Sequence, residues 1–319
     1  MHNLQGDVFG ARLCGDPIIY AGRVVLVERE DVLLRFDNRL HARYITGQRV
    51  EIRFKLSRAV WRLFHQGLSY VSDDLARRVL FPSQDPNLAP RTARVNLSRT
   101  AFNRTVVENT QQWQVVSSIV DRSHQPYPYV VFGPPGTGKT TTLVEAIQQF
   151  VAIHRGLRVL VCAPTNAAAD VLCLRLNSLN TTEMLRLMGH SRDPRDVESS
   201  LLPYTHREDD QFTTPSLATV EEKRVVVATL ATASRLVNVG VAPRHFDLIV
   251  VDEAGQAMEP EIVAVVAPLN IPQARIMLVY IRHQEAGLRR HVVLATSRTS
   301  LIRSVPHVCN VCVCVHACR

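Results

Sequence analysis

Lysine is almost missing from this chain. Of 37 basic side chains, only Lys55, Lys139 and Lys223 are lysines, and the rest are arginines. A lysine inside a functional pattern is therefore harder to dismiss as incidental. An apolar core is also missing from Met1 to Gly15, so no secretory leader is expected. No apolar run approaches the roughly 20 residues of a membrane span, and no membrane partner is expected. The seven cysteines show no disulfide framework: Cys14, Cys162 and Cys173 are far apart, and the other four crowd the last eleven residues. A reducing compartment inside the cell is the expectation. Five of the twelve histidines are scattered through the first 155 residues without ligand spacing and read as surface or packing residues. The net charge of +8 is unevenly placed. Six arginines and one acid lie from Tyr280 onward, leaving 31 basic and 28 acidic residues before it. The body is only mildly basic, so charge alone does not demand a nucleic-acid partner.

What is present centres on Val131-Phe-Gly-Pro-Pro-Gly-Thr-Gly-Lys-Thr-Thr141. Gly133, Gly138, Lys139 and Thr140 fill the G-x-x-x-x-G-K-[ST] pattern of a phosphate-binding loop, with Pro134, Pro135, Gly136, Thr137 and Thr141 in and beside it. Glycines let backbone N–H groups curl around phosphates with no Cβ in the way. Lys139 can reach the β- and γ-phosphates, and the Thr140 hydroxyl can ligate Mg²⁺. The start of the following helix adds partial positive charge. The context suits this: Tyr129–Phe132 reads as a strand, and Leu143, Ile147, Phe150 and Val151 repeat at helical spacing up to Gly156.

At 319 residues the chain has room for about two domains. Residues 1–56 read as strands, at Pro17–Glu28, Asp31–Phe36 and Arg49–Phe54, and suggest a small sheet or β-barrel accessory domain. Its arginine-bearing strands suit nucleic acid or simply a solvated face. Residues 57–105 read as a helical stalk and linker, with a helical period from Val60 to Leu80, a break near Gly67, and a connector holding Pro82, Pro86 and Pro90. From residue 106 to 279 strands alternate with helices. A helix is expected from Asn109 to Asp121, strands at Leu157–Ala163, Arg224–Thr229 and Phe246–Val251, and a helix at Ala167–Leu179. Strands that read as continuous apolar runs belong to a parallel sheet covered on both faces, so the fold class is α/β. Residues 183–222 are polar and proline-punctuated and read as an insertion or long surface connection.

Asp252 and Glu253 stand at the tip of the last apolar strand. Downstream of a phosphate loop, such an Asp is placed to hold Mg²⁺ and the adjacent Glu to polarise an attacking water; alone, the pair would also suit a solvated loop. Two further strand-end loops, Ala163-Pro-Thr-Asn166 and Thr229-Leu-Ala-Thr232, carry small polar side chains. Ligands of open α/β sheets bind outside the carboxyl ends of strands, where these groups suit phosphate or ribose oxygens. They are equally good helix caps.

Together these segments resemble a superfamily 1 helicase of the up-frameshift-like group, and more narrowly the Armitage / Moloney leukaemia virus ten RNA helicases. The resemblance rests on Asn109-Thr-Gln-Gln112, on Tyr129 to Ala146, on Cys162 to Asp170, and most of all on Arg224 to Glu261 with its Asp252-Glu-Ala-Gly-Gln256. It covers about residues 17–279, with Tyr20 to Pro82 similar to the family's barrel and stalk. It implies a RecA-like ATP-binding domain in which Gln112 reads the adenine. Gly136 to Thr140 would hold phosphates and Mg²⁺, Asp252 the metal, and Glu253 would be the catalytic base. Gln256 would couple the nucleotide site to the rest, and Thr165, Asn166 and Thr229 would lie along single-stranded RNA. Family members move 5′→3′ on RNA and serve silencing, decay or transposon control, which implies the cytoplasm, ribonucleoprotein granules and silencing or decay proteins as partners. A P-loop kinase would leave the Asp252–Gln256 stretch unexplained.

The pattern departs after Leu278, where Val279-Tyr-Ile-Arg-His-Gln-Glu-Ala-Gly287 replaces the family's γ-phosphate-sensing loop. Nothing beyond resembles a second motor domain, the source of the family's arginine finger, which is worth roughly a thousandfold in turnover. The expectation is an incomplete copy that binds ATP and RNA with impaired turnover; the alternative is a non-enzymatic nucleotide- or RNA-binding fragment, or a dominant-negative isoform. The tail alternates Val and Cys from Val308 to Val315, as a translated TG repeat would. A zinc site from Cys309, Cys312, Cys314, His316 and Cys318 is the rival, although no second Cys pair stands at finger distance. The hypothesis is that residues from about 280 onward come from a retained intron or misassigned exon. Transcript sequencing tests it: the message should run unspliced across codon 280, and an abundant message spliced through this tail contradicts it.

Overall fold

The computed structural model describes residues 8–27, 32–54, 58–81, 97, 101–121, 128–269, 275–281 and 312–314. Contacts divide the chain into two units, Met1–Arg62 and Leu63–Arg319. Pro82, Pro86 and Pro90 of the connector lie outside the described residues, as do 282–311 and 315–319 of the tail.

The first unit is built on strands β1 (Val8–Leu13), β2 (Tyr20–Val27), β3 (Val32–Phe36) and β4 (Val50–Phe54), with a one-turn helix α1 (Asn38–His41). They form one antiparallel sheet in the order β3-β2-β1-β4. The strand content expected of a small barrel is thus present, and among the described residues the outer strands β3 and β4 do not pair. Alternation decides the faces. Phe9, Ala11, Leu13, Tyr20 and Val24 point to one side and bury against Leu40. The sequence reading expects three strands, not four. Strand β1 escapes it because Gly10 and Ala11 dilute the β-branched and aromatic signal.

Helix α2 (Ala59–Ser69) begins in the last residues of the first unit and continues through Gly67 of the second, where the sequence suggests a break. Gly67 is a site of close approach: a Cβ there would lie 2.4 Å from the Cα of Ala264. The chain breaks instead at Ser72, whose hydroxyl accepts from the Leu75 N–H to start α3 (Asp73–Leu75), followed by a π-turn over Ala76–Leu80. Helices α4 (Arg104–Glu108) and α5 (Thr110–Asp121) then lead to β5 (Tyr129–Gly133) and α6 (Lys139–Ile153). Next come β6 (Val159–Ala163), α7 (Asn166–Arg175) and β7 (Met184–Leu187), then a hairpin of β8 (Arg207–Glu208) and β9 (Gln211–Phe212). After helix α8 (Leu217–Glu221) come β10 (Val225–Thr229), α9 (Leu230–Ala233) and α10 (Leu236–Val239). Strand β11 (Leu248–Val251), α11 (Glu259–Leu269), β12 (Arg275–Ile281) and β13 (Cys312–Cys314) complete the described elements.

The large sheet is parallel throughout, in the order β13-β5-β12-β11-β6-β10-β7. Its central strands explain their own unbroken hydrophobicity. Val159, Val161, Val225, Val227, Leu248 and Val250 enter the core beneath α5, α6 and α7. Their neighbours Leu160, Cys162, Val226, Ala228, Ile249 and Val251 enter the core beneath α9, α10 and α11. Each fully buried Val, Leu or Ile of this kind contributes about 1.5–3 kcal/mol.

The segment expected as a polar insertion at 183–222 opens with the edge strand β7. The arginine in its middle hides it from a hydrophobicity reading. Arg186 is fully buried and bonds Asp170 at 2.9 Å, and Asp170 also pairs with Arg192 at 2.6 Å. The ion pair lets a charged residue occupy a core position that would otherwise reject it. In the tail, β13 lies beside β5 with Cys312 opposite Val130 and Cys314 opposite Phe132.

Gly67→Ala sets two effects against each other. Helix propensity favours Ala by about 1 kcal/mol, but overpacking against a helix backbone costs about 1–3 kcal/mol. The contact with Ala264 decides the sign, so thermal melting should show a destabilised protein; an unchanged or raised midpoint contradicts the close approach.

Candidate nucleotide and nucleic-acid site

The phosphate loop joins β5 to α6, and its conformation depends on two glycines. Gly136 and Gly138 have φ of +77° and +78°, a region that side chains with a Cβ enter at a cost. At Gly138 a Cβ would also lie 2.8 Å from the Gln112 amide nitrogen. Gly138 is the residue before α6 begins, so the first N–H groups of that helix open onto the loop. The buried Lys139 ammonium donates to the Gly133 carbonyl at 2.7 Å and to the Pro134 carbonyl. Burial lowers its pKa, and the negative charge of Asp252 opposes that shift. The Thr137 hydroxyl donates to the Pro134 carbonyl at 2.9 Å and fastens the loop to itself. Pro134, Pro135 and Gly136 are exposed at the loop's crest, and Thr140 and Thr141 are half-buried.

Asp252 follows β11 and reaches the same place from the other side of the sheet order. The Thr140 hydroxyl donates to its Oδ2 at 3.0 Å, and the Glu253 N–H donates to its Oδ1 at 3.0 Å. Asp252 is only 3 % exposed, and burial raises its pKa against the pull of the Thr140 and Glu253 hydrogen bonds. Glu253 is also raised, first by burial and then by the neighbouring Asp252. Its φ of +53° is unusual for a residue with a side chain, a strain of about 1–3 kcal/mol that tends to collect at functional sites. A cleft of about 360 Å³ is lined by Thr140, Asp252 and Glu253 together with Thr165, Ala167, Ala168 and Val171. The hard oxygen donors Thr140 and Asp252 fit Mg²⁺ better than a softer metal. The cradle of positive-φ glycines, the buried lysine and the helix start fit a polyphosphate.

The other candidate residues divide. Gln112 is buried on α5 and donates through Nε2 to the Thr137 carbonyl at 3.0 Å, so it touches the phosphate loop directly. Gln256 is exposed on the 3-10 turn Ala254–Gln256 that follows Glu253. Thr165 and Thr229 both act as helix caps, accepting from the Ala168 and Thr232 N–H groups at 3.2 Å each. Thr165 is exposed beside the cleft, whereas Thr229 is buried and its hydroxyl also pairs with that of Thr232 at 2.8 Å. Asn166 is exposed at the start of α7, and its side-chain oxygen accepts from Arg186 at 3.2 Å. Because Ala163 and Thr229 are register partners, the loops after β6 and β10 lie side by side at the carboxyl edge of the sheet. Among the described residues no group of three His, Cys, Asp or Glu stands ready to hold a metal, and Cys309, His316 and Cys318 of the tail lie outside them. No helix among the described residues is long and apolar enough to cross a membrane.

Two buried charged groups next to this site escape a pattern reading, Arg186 and Glu145. In sequence each stands between apolar neighbours, Leu185 and Leu187 or Val144 and Ala146, and a lone charge inside an apolar run is the available signal.

The AAA domain family matches residues 108–213 and 205–279, which spans the phosphate loop, the Asp252-Glu253 pair and both strand-end loops. A MOV-10 helicase of Gallus gallus is 34 % identical over 275 residues, covering 83 % of this chain and 28 % of its own length. The chain belongs to the superfamily 1 helicases of the MOV-10 and armitage type. A second MOV-10 helicase, mov-10-B.1 of Danio rerio, is 38 % identical over 253 residues, covering 78 % of this chain and 25 % of its own. An armi RNA helicase of Drosophila melanogaster is 26 % identical over 289 residues, covering 81 % and 24 %. The chain thus spans about a quarter of the length of these MOV-10 and armi relatives. Membership of a helicase family implies nucleotide use.

Proposed function

We propose that this chain is the ATP-binding half of a 5′→3′ RNA motor. It takes ATP with Mg²⁺ at the phosphate loop and single-stranded RNA across the carboxyl edge of the sheet. The observation that carries the reading is the 3.0 Å bond between Thr140 and Asp252. It brings the hydroxyl of the loop and the carboxylate of the strand tip to one point, where both would hold Mg²⁺. The metal's contribution, when bound, is to neutralise charge on the phosphate oxygens.

The chain's own residues do the rest. Lys139 exchanges its carbonyl partners for phosphate oxygens, and the loop N–H groups fix the phosphates for in-line attack. Glu253 accepts the proton of the attacking water, a role suited to a carboxylate whose pKa is raised by burial and by Asp252. Gln256, on the turn next to Glu253, relays the state of the site. Thr165 and Asn166 offer exposed polar groups to the RNA backbone, and Thr229 shapes the adjoining loop from its buried position. An arginine brought to this site from a second motor domain would raise turnover by roughly a thousandfold. The working location is the cytoplasm, including ribonucleoprotein granules, with silencing or decay proteins as partners.

Lys139→Ala tests the reading. The parent should bind ATP and single-stranded RNA and show slow, RNA-stimulated hydrolysis. The variant should lose ATP affinity by about tenfold or more, since charge-assisted contacts to phosphate are strong ones, and should lose the stimulated turnover. Binding without any turnover in the parent favours the non-enzymatic module. Unwinding of a tailed duplex at ordinary helicase rates contradicts the incomplete-motor account.

A further inference from the structure

Glu145 lies in the second turn of α6 and is 1 % exposed. Its carboxylate does not face the cleft. One oxygen accepts from the Phe102 N–H at 3.1 Å and from Gln149 Nε2 at 2.9 Å. The other accepts from the Asn103 N–H at 2.8 Å. These amides begin the segment that carries Gln112. Asn103 caps α4 through the Thr105 N–H at 3.0 Å, and Asn109 caps α5 through the N–H groups of Gln111 and Gln112 at 3.1 and 3.2 Å. Gln112 then closes onto the Thr137 carbonyl. The stretch 102–112 is therefore pinned at both ends to a single element, by Glu145 to the body of α6 and by Gln112 to the loop that opens α6.

We propose that Glu145 is a positioning residue that sets the Gln112 amide for adenine and so determines the base selectivity of the phosphate loop. The proposal rests on the reading of this loop as an ATP site. A glutamine amide has one carbonyl oxygen and two N–H groups. One N–H is held by the Thr137 carbonyl, which also fixes the sense of the amide, since its own oxygen would be repelled there. The second N–H and the oxygen then match N7 and the N6 amine of adenine, the usual bidentate pairing. Guanine presents the O6 acceptor where adenine presents a donor, so the Gln112 oxygen would be left without a partner. A site built on such a pair discriminates strongly only while its geometry holds. That geometry depends on where α4 and α5 sit against α6, and the Glu145 carboxylate is the polar tie that fixes it.

The test compares affinities of the full chain for fluorescent ATP and GTP analogues and for inorganic tripolyphosphate, all with Mg²⁺. Glu145→Gln turns one acceptor oxygen into an NH2 donor that would face the N–H of Phe102 or of Asn103. It should weaken ATP by about tenfold while GTP and tripolyphosphate keep their affinities, so the preference for adenine collapses. Glu145→Asp, which keeps the charge on a shorter arm, should fall between, and it decides the matter if Glu145→Gln does not fold. Gln112→Ala should give the same collapse. The proposal is overturned if folded Glu145 variants keep the parent ATP-to-GTP ratio while Gln112→Ala loses it. It is equally overturned if they weaken all three ligands alike, which marks a purely structural role. If Gln112→Ala itself leaves the ratio unchanged, the adenine reading of the site fails, and the role of Glu145 fails with it.

Discussion

The hydrogen bond from Thr140 to Asp252 joins residues 112 positions apart, and the rest of the second unit makes it possible. Thr140 sits in the first turn of α6 because β5 ends at Gly133 and a loop with two positive-φ glycines turns the chain back. Asp252 sits at the strand tip because β11 is held between β6 and β12, with β12 in turn beside β5. A slip of any of these parallel registers would separate the hydroxyl from the carboxylate. The apolar sheet is therefore what gives two polar groups a fixed distance. Burial does the electrostatic work: it raises Asp252 and Glu253 and lowers Lys139, so all three ions sit in a place that favours neutralisation by phosphate or metal.

Polar groups inside the core extend this logic outward. Arg186, fully buried, gathers Asp170, Asn166 and the Leu187 carbonyl, and so ties the edge strand β7 to the start of α7. Glu145 ties α6 to the start of α4. Neither is an ordinary stabilising device, because a well-packed apolar replacement is often at least as stable as a buried ion. What such groups supply is direction: each satisfied donor admits few alternative positions. Arg186 touches Asn166 directly, and Glu145 reaches Gln112 through the capped segment 102–112.

Much of this was legible in the chain itself. Lys139, Thr140, Asp252 and Glu253 were readable because phosphate chemistry demands fixed residue types at fixed spacing, and the structure brings all four together. Strands β6, β10 and β11 were readable because a strand buried on both faces has no polar position to interrupt it. The failures are physical as well. Strand β7 was hidden by Arg186, whose charge is balanced by partners that no local window contains. Gly67 signals flexibility locally, yet its reason for being glycine is Ala264, far along the chain. The capping and RNA-facing readings of Thr165 and Thr229 could not be separated by sequence. The caps form at both, and only Thr165 stays exposed.

The central claim is that the loop hydroxyl and the strand-tip carboxylate act as one metal-assisted nucleotide site. Equilibrium titration of the full chain with a fluorescent ATP analogue, in Mg²⁺ and in EDTA, tests it most directly when repeated on Asp252→Asn. The account predicts that the parent binds more tightly in Mg²⁺ by about tenfold or more, and that Asp252→Asn loses this difference while staying folded. Equal affinity of the parent with and without Mg²⁺, or an Asp252→Asn variant with an undiminished Mg²⁺ response, would contradict it.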